Sequence, residues 1–461
     1  MVVKKNAVKS KPAIKKIVSS KAKNTVVKGK VEKTAKTYSV LRGMRDILPK
    51  EERHWSKLYH VAENLAEYFQ FGRIETPILE EASLFVRSVG KGTDVVDKEM
   101  YIFEDRDGTK VCLRPENTAA VMRAYISNGL WNQAQPVKLW YLGQMFRHDR
   151  PQAGRYRQFW QVGFETLGSA DPAVDAELIM IAHNFYSDLG LPVTARLNSL
   201  GVPAERERYR NELVNYYRGK RSYICGDCKA RLTRNPLRLL DCKNKECLEV
   251  KETAPQIIDY LGAESKNHFM KVLEYLDVLE IPYQLDHTLV RGLDYYTHTV
   301  FEFYGPEGEE GAQSALGAGG RYDLLAEQIG GKATPGCGFS LGLDRVVLAW
   351  REYMSKNNQE LPKQKMEIYV AQLGEEARRV ALRLVNDLRG SGIKVGFNFS
   401  KGSLKIQMEL ADHAQVPYVL IVGQKEVQDK TVIIRDMESG IQEVVDQKKV
   451  EALLKRKLGH S

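Results

Sequence analysis

Residues 137 to 167 carry the clearest pattern in the chain. Val137 to Phe146 alternates loosely and holds Trp140, Tyr141 and Phe146; Gln158 to Leu167 does the same with Phe159, Trp160, Val162 and Phe164. Bulky residues in near alternation predict strands. Between them run Arg147, His148, Asp149, Arg150, Pro151, Gly154, Arg155 and Arg157. Hairpin loops usually span about two to five residues. This arginine-rich loop is too long for a plain connector, and long ordered loops often carry function.

The same reading extends along the chain. Trp55, Leu58, Tyr59, Val61, Ala62, Leu65, Ala66 and Phe69 recur at helical spacing, predicting a helix over 50–71 with Gly72 as its C-cap. Met100 to Phe103 and Lys110 to Leu113 predict a hairpin closed at Asp107-Gly108. Arg114-Pro115-Glu116-Asn117-Thr118 precedes a helical stretch, Ala119 to Tyr125, with Thr118 or Asn117 as its cap. Val193 to Gly201 reads as a strand. Residues 202–284 then interrupt the pattern, with amphipathic stretches at Glu205 to Tyr217 and Ile257 to Leu276. Gly336 to Leu341 reads as a strand leading into a helix, and the polar residues 351–365 as a linker. Beyond it, strands at Glu367 to Gln372, Lys394 to Phe397, Tyr418 to Val422 and Thr431 to Arg435 mix with helices at Arg378 to Leu388 and Leu404 to Ala414. That alternation predicts a small domain with a mixed sheet. Lys448 to Leu458 reads as a basic terminal helix.

A chain of 461 residues is long enough for about three domains. No run of about eighteen apolar residues occurs, which excludes a membrane-spanning helix. The net charge of +10 is local: residues 1–36 hold twelve lysines and one acid, Glu32, which leaves the remainder near −1. Such a tail buries too little apolar surface to fold alone, so disorder is expected. It either attracts nucleic acid weakly and without sequence preference or is simply solvated. It lacks the arginines of a transit peptide and the apolar core of a signal peptide. A cytoplasmic location and reduced cysteines are therefore expected.

Four groups of residues suggest chemistry. Arg147 can offer a planar, bidentate fork to a phosphate. Gln161 and Glu165 are four apart on a strand and share a face, where acceptors suit a cationic amine or imidazole. The alternative is a basic hairpin whose arginines are only solvated. Cys225, Cys228, Cys242 and Cys247 form two close pairs, CGDC and CKNKEC, with the arithmetic of a four-thiolate zinc site. The alternative is four unligated thiols. Gly311, Gly317, Gly319 and Gly320 permit close backbone approach to a ligand.

The stretch FRHDRPQAGRYRQF resembles motif 2 of class II aminoacyl-tRNA synthetases in its histidyl-tRNA synthetase version. Arg73 to Leu79, with Pro77, resembles motif 1, and TPGCGFSLGLDRVVLAW, from Thr334, resembles motif 3. TLVRGLDYYTHTVFEF, from Thr288, and ALGAGGRYDLL, from Ala315, are similar to the two histidine signatures of that family. The likeness covers about residues 38 to 461. It implies an α+β fold: an antiparallel sheet flanked by helices, a helical insertion domain and a C-terminal α/β anticodon-binding domain. It divides the chain into a disordered tail (1–37), a core (38–201), an insertion with a possible structural zinc site (202–284), a second core segment (285–356), a linker (357–365) and the anticodon domain (366–461).

The likeness also assigns roles. Arg147 would hold the α-phosphate of ATP, and Arg345 the γ-phosphate, stacking on the adenine side in concert with Phe159. Arg291 would help the histidine carboxylate attack. Glu116, Asn117, Thr118, Gln161, Glu165, Tyr295 and Tyr296 would line the histidine pocket. Asn117 stands where the family usually has glycine, and asparagine tolerates left-handed backbone better than most residues. Arg150 and Gln152 would read the acceptor end of the tRNA. Magnesium would accompany ATP, the partners would be L-histidine and histidine tRNA, and motif 1 implies a homodimer. The competing reading is a non-catalytic paralogue that regulates phosphoribosyl transfer in histidine biosynthesis; Arg147, Arg345 and the C-terminal domain argue against it. A synthetase-like module fused to a kinase fails because the chain has no kinase segment.

Overall fold

The computed structural model describes residues 38–90, 93–306, 315–361, 366–400 and 402–460. The lysine-rich tail, Gly311 and part of the predicted linker lie outside them. Eight strands form one sheet, in the order Gly72–Arg73, Val137–Phe146, Gln158–Leu167, Gly336–Gly342, Gly317–Arg321, Thr297–Tyr304, Thr194–Ser199 and Tyr283–Leu285. All pairings between the six inner strands are antiparallel, while each short edge strand is parallel to its neighbour. The two bulky stretches of the sequence are strands with the predicted bounds, in register from Val137 opposite Leu167 to Phe146 opposite Gln158.

Strand period sorts side chains onto two faces. On one, Val162, Phe164, Phe301, Phe303 and Phe339 pack with Trp55, Leu58, Ile179, Phe185, Val346 and Trp350 from flanking helices. The ring of Phe164 lies 5.3 Å from that of Phe339 and 5.1 Å from that of Phe71. The other face bears Tyr141, Met145 and Tyr322, and packs with Tyr295, Tyr296, Met122 and Tyr125. A small three-stranded sheet, Leu79–Glu81, Lys110–Leu113 and Tyr101–Glu104, supplies the predicted hairpin.

Several expectations need correction. The first helix, Pro49–Tyr68, stops before Gly72, because Gln70 turns the chain at φ 60° and Gly72–Arg73 joins the sheet beside Leu139 and Trp140. Residues 351–356 are not linker: the helix Leu343–Lys356 continues through them to bury Met354. The glycines of Gly317–Arg321 admit the neighbouring strands closely; a methyl at Gly319 would lie 2.4 Å from the Gly338 carbonyl oxygen.

Within the predicted insertion, the helices Pro203–Gly219, Gly226–Arg234 and Lys245–Glu252 bury Leu213, Leu232 and Val250 among themselves. Helix Ala263–Val278 instead buries Phe269, Val272 and Leu276 against the apolar face of the long sheet. The C-terminal sheet is mixed as expected. Val395–Phe397, Ile368–Gln372 and Tyr418–Val422 run parallel; Thr431–Asp436 and Gln442–Asp446 complete it antiparallel.

Candidate active site

The polar side chains gather on the second face of the long sheet. Glu165, at 0% exposure, accepts a 2.7 Å hydrogen bond from the Thr118 hydroxyl on Oε1 and a short one from the Tyr322 hydroxyl on Oε2. Burial pushes its carboxyl up to about 8; the two hydroxyls oppose the shift, and nearby Glu116 adds to it. Gly338 makes room for this arrangement, since a methyl there would stand 1.6 Å from Glu165 Oε2. One turn of strand away, Gln161 donates to Ser340 Oγ at 3.5 Å and keeps a buried, unpartnered Oε1.

Glu116 completes the acceptor set. It takes the backbone N–H groups of Thr118 at 2.7 Å and Ala119 at 3.1 Å, so it caps the helix Thr118–Ser127. Neither Thr118 nor Asn117 does so. The Asn117 side-chain oxygen, Oδ1, instead accepts from the Thr76 hydroxyl at 2.7 Å and Arg114 Nη1 at 3.2 Å. Asn117 has φ −117°, so its tolerance of left-handed backbone is not used. Burial raises the Glu116 carboxyl above its usual range.

Aromatic residues wall the pocket. Tyr295 lies 5.8 Å from Tyr322 and 4.7 Å from Tyr296, centroid to centroid. Arg291 stacks over Tyr296 at 5.3 Å and forms an ion pair with Glu302, which also accepts from Tyr304.

A second cluster is basic. Arg147 donates from Nε to the Pro115 carbonyl at 2.8 Å and lies 5.5 Å from the Phe159 ring. Arg345 donates to the Ala315 carbonyl at 3.0 Å from the helix Leu343–Lys356. Burial, then the neighbouring charges of Arg155 and Arg147, push its guanidinium down to about 10. Crowded cations of this kind favour a polyanion. Arg150 and Gln152 stand exposed on the loop between the long strands, where Gln152 pairs through its backbone with Arg155.

Three further residues shape the site. Tyr322 and Arg321 lie inside the quoted ALGAGGRYDLL, and Arg114 inside the quoted RPENT. Arg321 is buried against Asp175 and Asp323 and anchors the strand end that presents Tyr322. Arg114 ties Thr76, Asn117 and the Gln144 carbonyl together beneath Glu116.

The insertion brings its four cysteines together. Their Sγ atoms all lie within 4.8 Å of one another, with Cys225 to Cys242 at 3.9 Å and Cys228 to Cys247 at 3.8 Å. A zinc–thiolate bond of about 2.3 Å requires tetrahedral sulfur separations of about 3.8 Å, so the cage has the right size.

A family model described as Histidyl-tRNA synthetase matches residues 43–204 and 228–346, and an Anticodon binding domain model matches residues 367–457. The histidine–tRNA ligase of Natranaerobius thermophilus is 44% identical over 420 residues, covering 91% of this chain and 99% of its own. That of Desulforudis audaxviator is 45% identical over 416 residues, covering 90% and 98%. The crystal structure of apo S. aureus histidyl-tRNA synthetase superposes with a TM-score of 0.75 at 34% identity, covering 91% of this chain and all of that one. With the acceptor pocket, the arginine cluster and the C-terminal domain in place, the chain belongs to the histidyl-tRNA synthetase family.

Proposed function

We propose a division of labour among these residues for the family's reaction. The chain is a ligase that activates L-histidine with ATP to histidyl-adenylate and pyrophosphate, then transfers the histidyl group to the 3′ end of histidine tRNA in translation. One observation carries the assignment of the site: a buried, cation-accepting pocket and an arginine cluster are set on the same sheet face. Glu116 accepts the α-ammonium group. Glu165, Gln161, Thr118, Tyr295 and Tyr296 select the imidazole, and Asn117 supports them through Arg114. Arg147 holds the α-phosphate and stacks with Phe159, while Arg345 holds the γ-phosphate. Arg291 lies by the reacting carboxylate and offsets the charge that develops as it attacks phosphorus. Catalysis here is positioning and electrostatics. Magnesium, when bound to the triphosphate, neutralises part of its charge.

Arg150 and Gln152 are exposed enough to meet the acceptor end of the tRNA, and unstacked anticodon bases are read by the C-terminal domain. The four cysteines hold one structural zinc ion, a reading supported by their tetrahedral spacing; purified protein should contain about one zinc per chain. Ile78, Leu79, Ile102 and Phe103 are each more than 40% exposed on or beside the small three-stranded sheet. That patch, next to motif 1, supports a homodimer, which light scattering would test. Among the described residues no helix is long and apolar enough to cross a membrane, and we place the enzyme in the cytoplasm.

The test of the function is amino-acid-dependent ATP–pyrophosphate exchange with each of the common amino acids. Exchange with histidine alone is expected. Histidine binding without exchange would favour the regulatory paralogue.

A further inference from the structure

The insertion touches the histidine pocket at one built junction. Helix Pro203–Gly219 follows the strand Thr194–Ser199 after three residues and carries Glu205 and Arg206 in its first turn. Glu205 is 7% exposed. It accepts from the Val202 N–H at 3.0 Å, the Gly262 N–H at 2.6 Å and the Ser265 hydroxyl at 2.8 Å. One carboxylate therefore ties the chain's entry into the insertion to its exit. Both glycines of this junction are needed: a methyl at Gly201 would lie 2.3 Å from Glu205 Oε2, and one at Gly262 2.7 Å from Oε1.

The next residue reaches out of the insertion. Arg206 Nη1 donates to the Tyr296 carbonyl oxygen at 2.6 Å. Tyr296 is the residue on whose ring Arg291 stacks and beside which Tyr295 sits. A second contact supports the same loop. Arg238 pairs with Asp94 at 3.5 Å and Asp241 at 3.2 Å, and the backbone N–H of Asp294 donates to the Val89 carbonyl at 3.1 Å. Val89 is thus held to Asp294 of the loop that carries Tyr296, and Asp94 to Arg238 of the insertion.

We infer that Arg206 is a positioning residue for histidine binding: fixed by the Glu205 junction, it sets the backbone of Tyr296 and so the aromatic wall and Arg291. This rests on the reading of the pocket given above. Arg206 touches neither substrate in that arrangement, and its effect passes through the loop. A charge-assisted hydrogen bond to a carbonyl is among the stronger kinds, and a tight pocket loses affinity when its wall shifts.

The test is pyrophosphate exchange by the full-length protein, with histidine and ATP varied separately, on the unmodified chain, Arg206→Ala and Arg206→Lys. Thermal unfolding is followed alongside. The expected result is a rise of about tenfold in KM for histidine in Arg206→Ala. KM for ATP and the unfolding temperature stay unchanged, and lysine, which keeps a cationic donor, restores part of the loss. An unchanged KM for histidine overturns the proposal. So does a rise in both KM values together with a lower unfolding temperature, which would mark a merely structural contact. Absence of histidine-dependent exchange in the unmodified protein would overturn the pocket reading and this one together; exchange with the same KM in all three proteins overturns only the role of Arg206.

Discussion

On one face of the long sheet, Val162, Phe164, Phe301 and Phe339 pack beneath helices with no polar partner to satisfy. On the other face of the same strands, Gln161 and Glu165 are buried among tyrosines, and Glu165 has only two hydroxyls for partners. The first face gains from every apolar contact. The second carries a carboxyl whose pKa burial pushes up to about 8 and whose ionised form a nearby cation would stabilise. Apolar packing is thus concentrated on one side of the sheet and buried polar groups, the proposed recognition site, on the other. The alternation of a single strand, Gln158–Leu167, supplies both.

Three substitutions sharpen this contrast. The largest loss of folding free energy is expected from Phe164→Ala, which empties the space between Phe71, Trp140 and Phe339. A buried phenylalanine truncated in this way costs about 3–5 kcal/mol, readable as a lower urea midpoint. Arg147→Ala should leave the midpoint nearly unchanged, because the residue is only half-buried. It should slow pyrophosphate exchange by about a hundred- to a thousandfold, as removal of one donor to a developing charge does. Glu165→Gln should have the smallest effect on rate but remove a pH dependence. The folded carboxyl is raised, so the protonated form stabilises the ligand-free protein. That contribution is fully present below the unfolded carboxyl pKa near 4.5 and is lost as pH rises through about 8. Thermal unfolding of the ligand-free protein should therefore fall across that window, and the glutamine variant should fall less. A Glu165→Gln protein with the parent's pH profile would erase the distinction between the two faces.

The apolar face was legible in the sequence, and the polar face only partly. Bulky alternating residues fix both long strands without reference to anything distant, which is why their bounds coincide with the pattern. The strand Gln442–Asp446 was missed because its residues are mostly polar and half of them face solvent at the edge of the sheet. Gly72 looked like a helix cap because nothing local reveals its pairing with Leu139. The site residues entered through family likeness to short motifs, and the structure brings Thr118 onto Glu165, Tyr295 beside Tyr296, and Arg147 near Arg345. What the motifs could not show is the pairing across long separations: Glu165 with Tyr322, Asp175 with Arg321, Arg206 with Tyr296. Those bonds join residues far apart in sequence, and no local period encodes them. The capping of helix Thr118–Ser127 by Glu116 was equally hidden, since a glutamate two residues before a helix carries no strong cap signature.

The central claim is that Glu165 stays neutral until a cationic amino acid enters its pocket. Calorimetric titration of histidine into the protein near pH 5, where the imidazole of free histidine is itself protonated, in two buffers of different ionisation heat, reads this directly as protons released on binding. The expected result is close to one proton released by the unmodified protein and markedly less by Glu165→Gln. Equal release by both proteins, or none by either while histidine binds, would contradict it.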